Sequence, residues 1–243
     1  MQIIVHSSKD ALATAAAGLF VEAAREAIAA KDKFTVSLTG GSTPEQLYKL
    51  LATPAYRDQV DWEKVWVFWG DERWVPLDDP KSNARMSHET LLDHVDIPRD
   101  QIFPMYTDGV APEVYAATYE ASLRQVLGDN GAFDLILLGM GDDGHTASLF
   151  PGTAVLSETE KWVDAYFLEP QDMYRITLTA PLINRAKKIV FALFGVNKAP
   201  ALYEVLEGKP NIQTYPAQLI KPTNGEVVWL VDESAVAKLT QKG

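Results

Sequence analysis

The sequence predicts an α/β fold with a mostly parallel sheet flanked by helices. Two observations carry this. Short apolar, β-branched and aromatic runs alternate along the chain with longer stretches of helical period. Several of those runs are apolar at consecutive positions rather than alternate ones, the pattern of strands covered on both faces.

The expected strands are residues 3–6, 34–38, 65–69, 134–138, 175–179, 189–194 and 227–231. Between them, 10–30 is an Ala-rich helix with good helix formers. A helix over 44–51 opens with Thr43 as N-cap, Pro44 at the first position and Gln46 at the third, a capping box with the preferred proline. Residues 83–94, 112–127, 181–188, 198–206 and 233–239 complete the helices. No repeat, low-complexity tract or linker interrupts the pattern, so residues 1–243 read as one domain.

Composition narrows the function. Hydrophobic residues at 47% and charged residues at 23% are ordinary globular values. With 22 Lys+Arg against 33 Asp+Glu, the net charge is −11. That argues against nucleic acid, which needs a basic face to release counterions, and against an anionic membrane surface. A small anionic ligand stays open, provided that a local cationic pocket overcomes the global field. With no cysteine, disulfides, thiolate catalysis and cysteine-ligated zinc are excluded. The opening MQIIVHSSKD has no basic segment followed by a long apolar one, and no run of 18 uncharged apolar residues occurs. The expectation is a cytoplasmic protein, monomeric, with neither nucleic acid nor membrane as partner.

Ligands of open parallel sheets bind beyond the C-terminal ends of the strands, so the loops there are the places to read. After 34–38 comes Thr39-Gly40-Gly41-Ser42-Thr43-Pro44. Its glycines admit a ligand close to the backbone, and its hydroxyls and free helix N–H groups form an anion site. Taken alone it is equally a Gly-Gly turn with an ordinary cap. After 65–69 comes Gly70-Asp71-Glu72-Arg73-Trp74, where two acids can orient an arginine whose planar fork suits phosphate. The Ser82-Asn83 pair further on starts a helix that can face the same cleft.

After 134–138 comes Gly139-Met140-Gly141-Asp142-Asp143-Gly144-His145. It matches the G-x-G-x-x-G dinucleotide fingerprint, but two aspartates would lie against a pyrophosphate of like charge, so that reading is rejected. His145 is the better focus. Of the four histidines, His6 lies in a strand and His88 and His94 lie in or near a helix. His145 alone sits in a glycine-rich, strand-terminal loop beside carboxylates, where one of them can fix its tautomer for proton transfer. Later, Gly195-Val196-Asn197-Lys198 follows the strand 189–194, and Arg175 begins another strand. Both supply further candidate cations.

Together the stretches SLTGGSTPEQLYKLL, WVFWGDERWVPLDDPKSNARM, FDLILLGMGDDGHTASLFPGT and RITLTAPLINRAKKIVFALFGVNKAPAL, spread over residues 36–202, resemble the 6-phosphogluconolactonase family, within the wider glucosamine-6-phosphate isomerase/lactonase superfamily. The resemblance implies a Rossmann-like fold and no obligatory metal or organic cofactor. It also implies hydrolysis of 6-phospho-D-glucono-1,5-lactone to 6-phosphogluconate, the second step of the oxidative pentose phosphate pathway. It assigns His145 as general base with Asp143 as its supporting acid. It carries Gly40, Gly41, Ser42, Thr43, Arg73, Arg175 and Lys198 over as ligand contacts. The backbone of 139–144 offers oxyanion donors. Glucosamine-6-phosphate deamination, the nearest rival, needs a glutamate soon after the histidine. Here no acid follows His145 until Glu158. The other rival is a catalytically inactive sugar-phosphate-binding protein.

Overall fold

The computed structural model describes residues 1–129 and 131–240. Nine strands are seen among them: β1 (Gln2–His6), β2 (Phe34–Leu38), β3 (Val65–Trp69), β4 (Asp71–Arg73), β5 (Leu135–Leu138), β6 (Val163–Leu168), β7 (Met173–Leu178), β8 (Lys188–Leu193) and β9 (Glu226–Asp232). The α-helices are α1 (Lys9–Lys31), α2 (Ser42–Leu51), α3 (Pro54–Arg57), α4 (Asn83–Thr90), α5 (Pro112–Leu127), α6 (Ala180–Ile183) and α7 (Ala199–Leu206).

Six strands form one sheet in the order β1-β9-β8-β5-β2-β3, and each neighbouring pair is parallel. Every residue of β2 and β5 is buried; β5 is apolar throughout, while β2 also buries Thr35 and Ser37 between its apolar residues. The chain steps outward from β2 to β3, then returns across β2 to β5. The crevice beyond the C-terminal ends of these strands is therefore a topological switch point, where ligands of such sheets bind. Helix α1 lies against the sheet with its Ala-rich side, burying Ala13, Ala16, Ala17, Ala24 and Ala27 around Leu12 and Phe20.

The expected strand at 175–179 exists as β7, but not in the main sheet. It pairs antiparallel with both β4 and β6 in a separate three-stranded sheet. A tight turn at Glu169–Gln171 joins β6 directly to β7, and a connection that short allows only a hairpin. Gly70 couples the sheets: its N–H donates to Leu38 O at 2.8 Å and its carbonyl accepts from Leu178 N at 2.8 Å.

Other boundaries also shift. Residues 83–94 break at Leu91 into α4 and a separate 3-10 turn, Leu92–His94. The helix expected over 181–188 is the single turn α6, because β8 already begins at Lys188. Residues 233–239 form successive turns, mostly closed by i→i+3 hydrogen bonds, which pack Ala235, Val236 and Leu239 onto the core. Helix α2 starts at Ser42, with Gly41 as N-cap and no side-chain cap bond, so the box expected from Thr43 to Gln46 does not form. Gln46 hydrogen-bonds the Asp10 carboxylate of α1 instead, which ties the two helices together.

Candidate active site

The loops after β2, β5 and β8, with the edge of the small sheet, enclose a cavity of about 480 Å³. Gly40, Gly41, Ser42, Thr43, Arg73, His145, Arg175 and Lys198 all line it. Asp143 stands behind the histidine. Every residue proposed from the sequence therefore belongs to one place, although the residues are spread over more than 150 positions of the chain.

The first wall is the loop entering α2. Tyr48, buried one helical turn further on, anchors it: its hydroxyl accepts from Thr39 N at 2.9 Å and donates to Thr39 O at 2.8 Å. Gly41 sits at φ 110°, a conformation a side chain would oppose. The Asn83 side chain fills the space a Cβ on Gly40 would need, and its Nδ2 donates to Asp71 O at 3.0 Å. Asn83, glimpsed in the sequence only as a helix start, thus fastens this loop to β4. The hydroxyls of Ser42 and Thr43 are not used to cap α2.

The second wall carries the arginines. Arg73 of β4 and Arg175 of β7 are register partners across the antiparallel pair, which sets two guanidinium groups side by side. Arg73 Nη1 donates to Lys81 O at 2.7 Å. Arg175 is 95% buried: it bonds Gln171 from the hairpin turn, and its Nη1 lies 3.8 Å from Asp71 Oδ2. Burial pulls the Arg175 guanidinium below its usual range and the Arg73 charge adds to this, while Asp71 opposes both. The Nε atoms of both arginines are buried without a protein partner. Asp71 is held in turn by Ser148, whose Oγ donates to Oδ2 at 2.6 Å. Behind them, the Glu72 carboxyl is completely buried at the start of α4, and burial pushes it up to about 7 against the pull of three backbone N–H donors.

The third wall is the β5 loop. Here the dinucleotide reading fails on structure as well: no α-helix lies between β5 and β6, only a 3-10 turn at Ala154–Ser157, so no α-helix N-terminus follows the glycine loop to receive a pyrophosphate. The loop is a tight turn, with Gly141 N–H donating to His145 O at 2.8 Å and Gly144 N–H to Gly141 O at 3.1 Å. Both N–H groups are thereby removed from the oxyanion role expected of this segment. Asp143 Oδ1 lies 2.6 Å from His145 Nδ1 and also accepts from His145 N at 3.1 Å. A Cβ on Gly141 would overlap the imidazole and the Asp143 carboxylate, so glycine at that position is what allows the pair to close. Burial works to raise the Asp143 carboxyl, but the hydrogen bond and charge of His145 outweigh it and hold the group below its ordinary value.

Phe150 was not singled out from the sequence. Its ring stacks on His145 with centroids 4.0 Å apart, and the Arg175 guanidinium lies 5.5 Å from the same ring. Histidine and arginine are thus spaced by one aromatic side chain. Gln171 was missed altogether, since Glu169-Pro170-Gln171-Asp172 carries only the signal of a turn.

The fourth wall is the loop after β8. Lys198 Nζ reaches Asp142 Oδ1 at 2.6 Å, and Asn197 Nδ2 donates to the same oxygen at 2.9 Å. The hydrogen bond from Lys198 is the main reason the Asp142 carboxyl lies below its usual range. The two adjacent aspartates therefore divide: Asp143 faces the histidine and Asp142 the lysine. The remaining histidines lie outside the cavity lining, His88 beside Asp93 at 3.0 Å and His94 against Glu89 O at 3.0 Å. Among the described residues, no group of three or more His, Cys, Asp or Glu is placed to hold a metal ion, and no helix is long and apolar enough to cross a membrane.

A family model described as glucosamine-6-phosphate isomerases/6-phosphogluconolactonase matches residues 7–229. A 6-phosphogluconolactonase of Synechocystis sp. is 46% identical over 214 residues, 86% of each chain. One of Haemophilus influenzae is 40% identical over 204 residues, 84% of this chain and 87% of its own. Among solved structures, the 6-phosphogluconolactonase from Trypanosoma brucei aligns with a TM-score of 0.85 at 29% identity, covering 98% of both chains. A monomeric glucosamine-6-phosphate deaminase shares the fold, with a TM-score of 0.83 at 22% identity over 98% of this chain and 99% of its own. Identity at this level over most of the length, on the same fold, means that the chain belongs to the 6-phosphogluconolactonase family, within the wider glucosamine-6-phosphate isomerase/6-phosphogluconolactonase group.

Proposed function

We propose that the chain hydrolyses 6-phospho-D-glucono-1,5-lactone to 6-phospho-D-gluconate, with His145 as general base on water. The observation that carries this reading is the His145–Asp143 pair, 2.6 Å apart, on a cavity whose other walls bear Arg73, Arg175, Lys198 and the Gly40–Thr43 loop. With Asp143 on Nδ1, the basic nitrogen is Nε2. As water oxygen bonds to C1, Nε2 takes its proton, and Asp143 stabilises the imidazolium. The C1–ring oxygen bond then breaks, and the imidazolium returns the proton to the departing oxygen. No covalent nucleophile is needed. Ser148 is committed to Asp71 by a 2.6 Å hydrogen bond and is fully buried.

The phosphate, at the far end of the sugar, is the group suited to the arginines, Lys198 and the Ser42 and Thr43 hydroxyls. Binding it there turns remote binding energy into orientation of C1. The deaminase reading lacks its acid in the structure too. The Glu158 carboxylate accepts from the N–H groups of Thr159, Glu160 and Lys161 and is not part of the cavity lining.

The test is lactone turnover by the purified protein, with spontaneous opening subtracted. Wild type should exceed background, and His145→Ala should lose about 10²–10⁴-fold in kcat with the fold intact. Near-wild-type turnover in the variant would remove His145 from the mechanism. Wild type at background would favour a binding protein without catalysis.

A further inference from the structure

Glu72 is fully buried, yet the mechanism gives it no part. Its two oxygens serve four donors. Oε1 accepts from Arg73 N and Asn83 N, both at 2.8 Å. Oε2 accepts from Ala84 N at 2.8 Å and from Ser82 Oγ at 3.1 Å. A helix cap explains only part of this. Helix α4 already has its N-cap in Ser82, whose Oγ accepts from Arg85 N at 3.1 Å. The bond to Arg73 N reaches outside the helix altogether, into β4.

What these four bonds have in common is Arg73. The carboxylate holds the main chain from which that side chain departs. It also holds residues 82–84, directly after Lys81, whose carbonyl receives the Arg73 guanidinium at 2.7 Å. Arg73 Nε is buried and has no protein partner. The guanidinium is therefore docked through Nη1, and its place depends on where the Lys81 carbonyl is held. We propose that Glu72 is a positioning residue for Arg73: one buried carboxylate fixes both the root of the side chain and the connection on which its head rests. This rests on the reading above, in which Arg73 takes the substrate phosphate. It assigns the Glu of the Asp71-Glu72-Arg73 segment the task of making that cation a preorganised one.

The experiment is a double-mutant cycle of Glu72→Gln and Arg73→Ala, with kcat and KM measured for 6-phosphogluconolactone and for unphosphorylated gluconolactone. Glutamine keeps the size, but it turns an NH2 group toward backbone N–H donors and breaks the clamp. Glu72→Gln should lose about ten-fold in kcat/KM on the phosphorylated lactone, mostly through KM, since small misplacements are costly at a positioned group. It should lose far less on the unphosphorylated one, and the double variant should be little worse than Arg73→Ala. A loss from Glu72→Gln that is the same on both lactones while Arg73→Ala discriminates between them, or the same with Arg73 present or absent, overturns the inference and leaves Glu72 a structural cap. Equal losses on both lactones from Arg73→Ala would instead overturn the phosphate reading, while the coupling between the two residues would still decide the positioning role. If Glu72→Gln does not fold, Ser82→Ala removes one donor from the same carboxylate. It must then show the same dependence on Arg73 in smaller degree, and its absence overturns the proposal.

Discussion

Two neighbouring aspartates, alike in sequence, differ at the site because of the partner each meets. Asp143 lies on His145 and Asp142 on Lys198. Asp143→Asn keeps the shape but removes the charge that stabilises the imidazolium, so it should lower kcat by at least ten-fold with a smaller effect on KM. Asp142→Asn loosens Lys198 and should act chiefly on KM. Steady-state kinetics of the two variants, side by side, check the division; an effect on kcat confined to Asp142→Asn would exchange the roles. Local chemistry does not separate the two residues in the sequence, where only the family resemblance singles out Asp143, because a turn of this tightness sends successive side chains in different directions. Only the fold around Gly141 decides which one reaches the ring.

At the scale of elements, one end of the sheet bears the candidate site and the other holds the strands together. At the N-terminal ends, the buried Asp134 carboxylate accepts from Thr35 N at 2.9 Å and Thr35 Oγ1 at 2.8 Å. It also pairs with Lys31 at 2.9 Å and Lys187 at 3.0 Å. It thereby joins α1, β2 and the approaches to β5 and β8. Burial works to raise this carboxyl, but the bonds from Lys31, Thr35 and Lys187 outweigh it and hold it below 3.8. Its stabilising contribution is therefore complete above that unfolded value and is lost as pH falls through the depressed folded one. Asp134→Asn should cost about 2–3 kcal/mol at neutral pH, as expected for buried hydrogen bonds to a charged group. It should also flatten the acid limb of stability and leave turnover of the folded enzyme unchanged. Denaturant unfolding at neutral and acid pH, together with an activity measurement, tests all three. An undiminished acid limb would show that other carboxylates govern it.

Over the whole molecule, a net charge of −11 surrounds a cavity bearing Arg73, Arg175 and Lys198. On the proposed reading, a phosphosugar repelled by the global field is held by the local one. Alanine at Arg73 or Lys198 should raise KM for 6-phosphogluconolactone by ten-fold or more and lower kcat as well, because the phosphate orients C1. Unphosphorylated gluconolactone should hardly register the change. Equal losses in kcat/KM for the two lactones would place these residues on the lactone ring or in the fold rather than on the phosphate.

Periodicity and local chemistry made the parallel sheet, its principal helices and the cavity-lining residues legible. Strands buried on both faces are largely apolar, and loops that bind anions close to the backbone favour glycine, hydroxyls and cations. Resemblance to a family then attached a reaction to them. Other features were beyond local signals. β4 is three residues long and charged, and β7 looks like any buried strand, so neither announces that the two pair antiparallel and set Arg73 opposite Arg175. Thr43 has the chemistry of a cap, yet the N-cap of α2 falls two residues earlier, on Gly41, because Tyr48 holds the loop and Gln46 turns to α1. Phe150, Gln171 and Glu72 acquire their places only from partners distant in the chain or across a turn. The sequence determines which residue types stand after which strand. Which of them touch was decided by strand register and by close packing at glycine, neither of which is a property of any single segment.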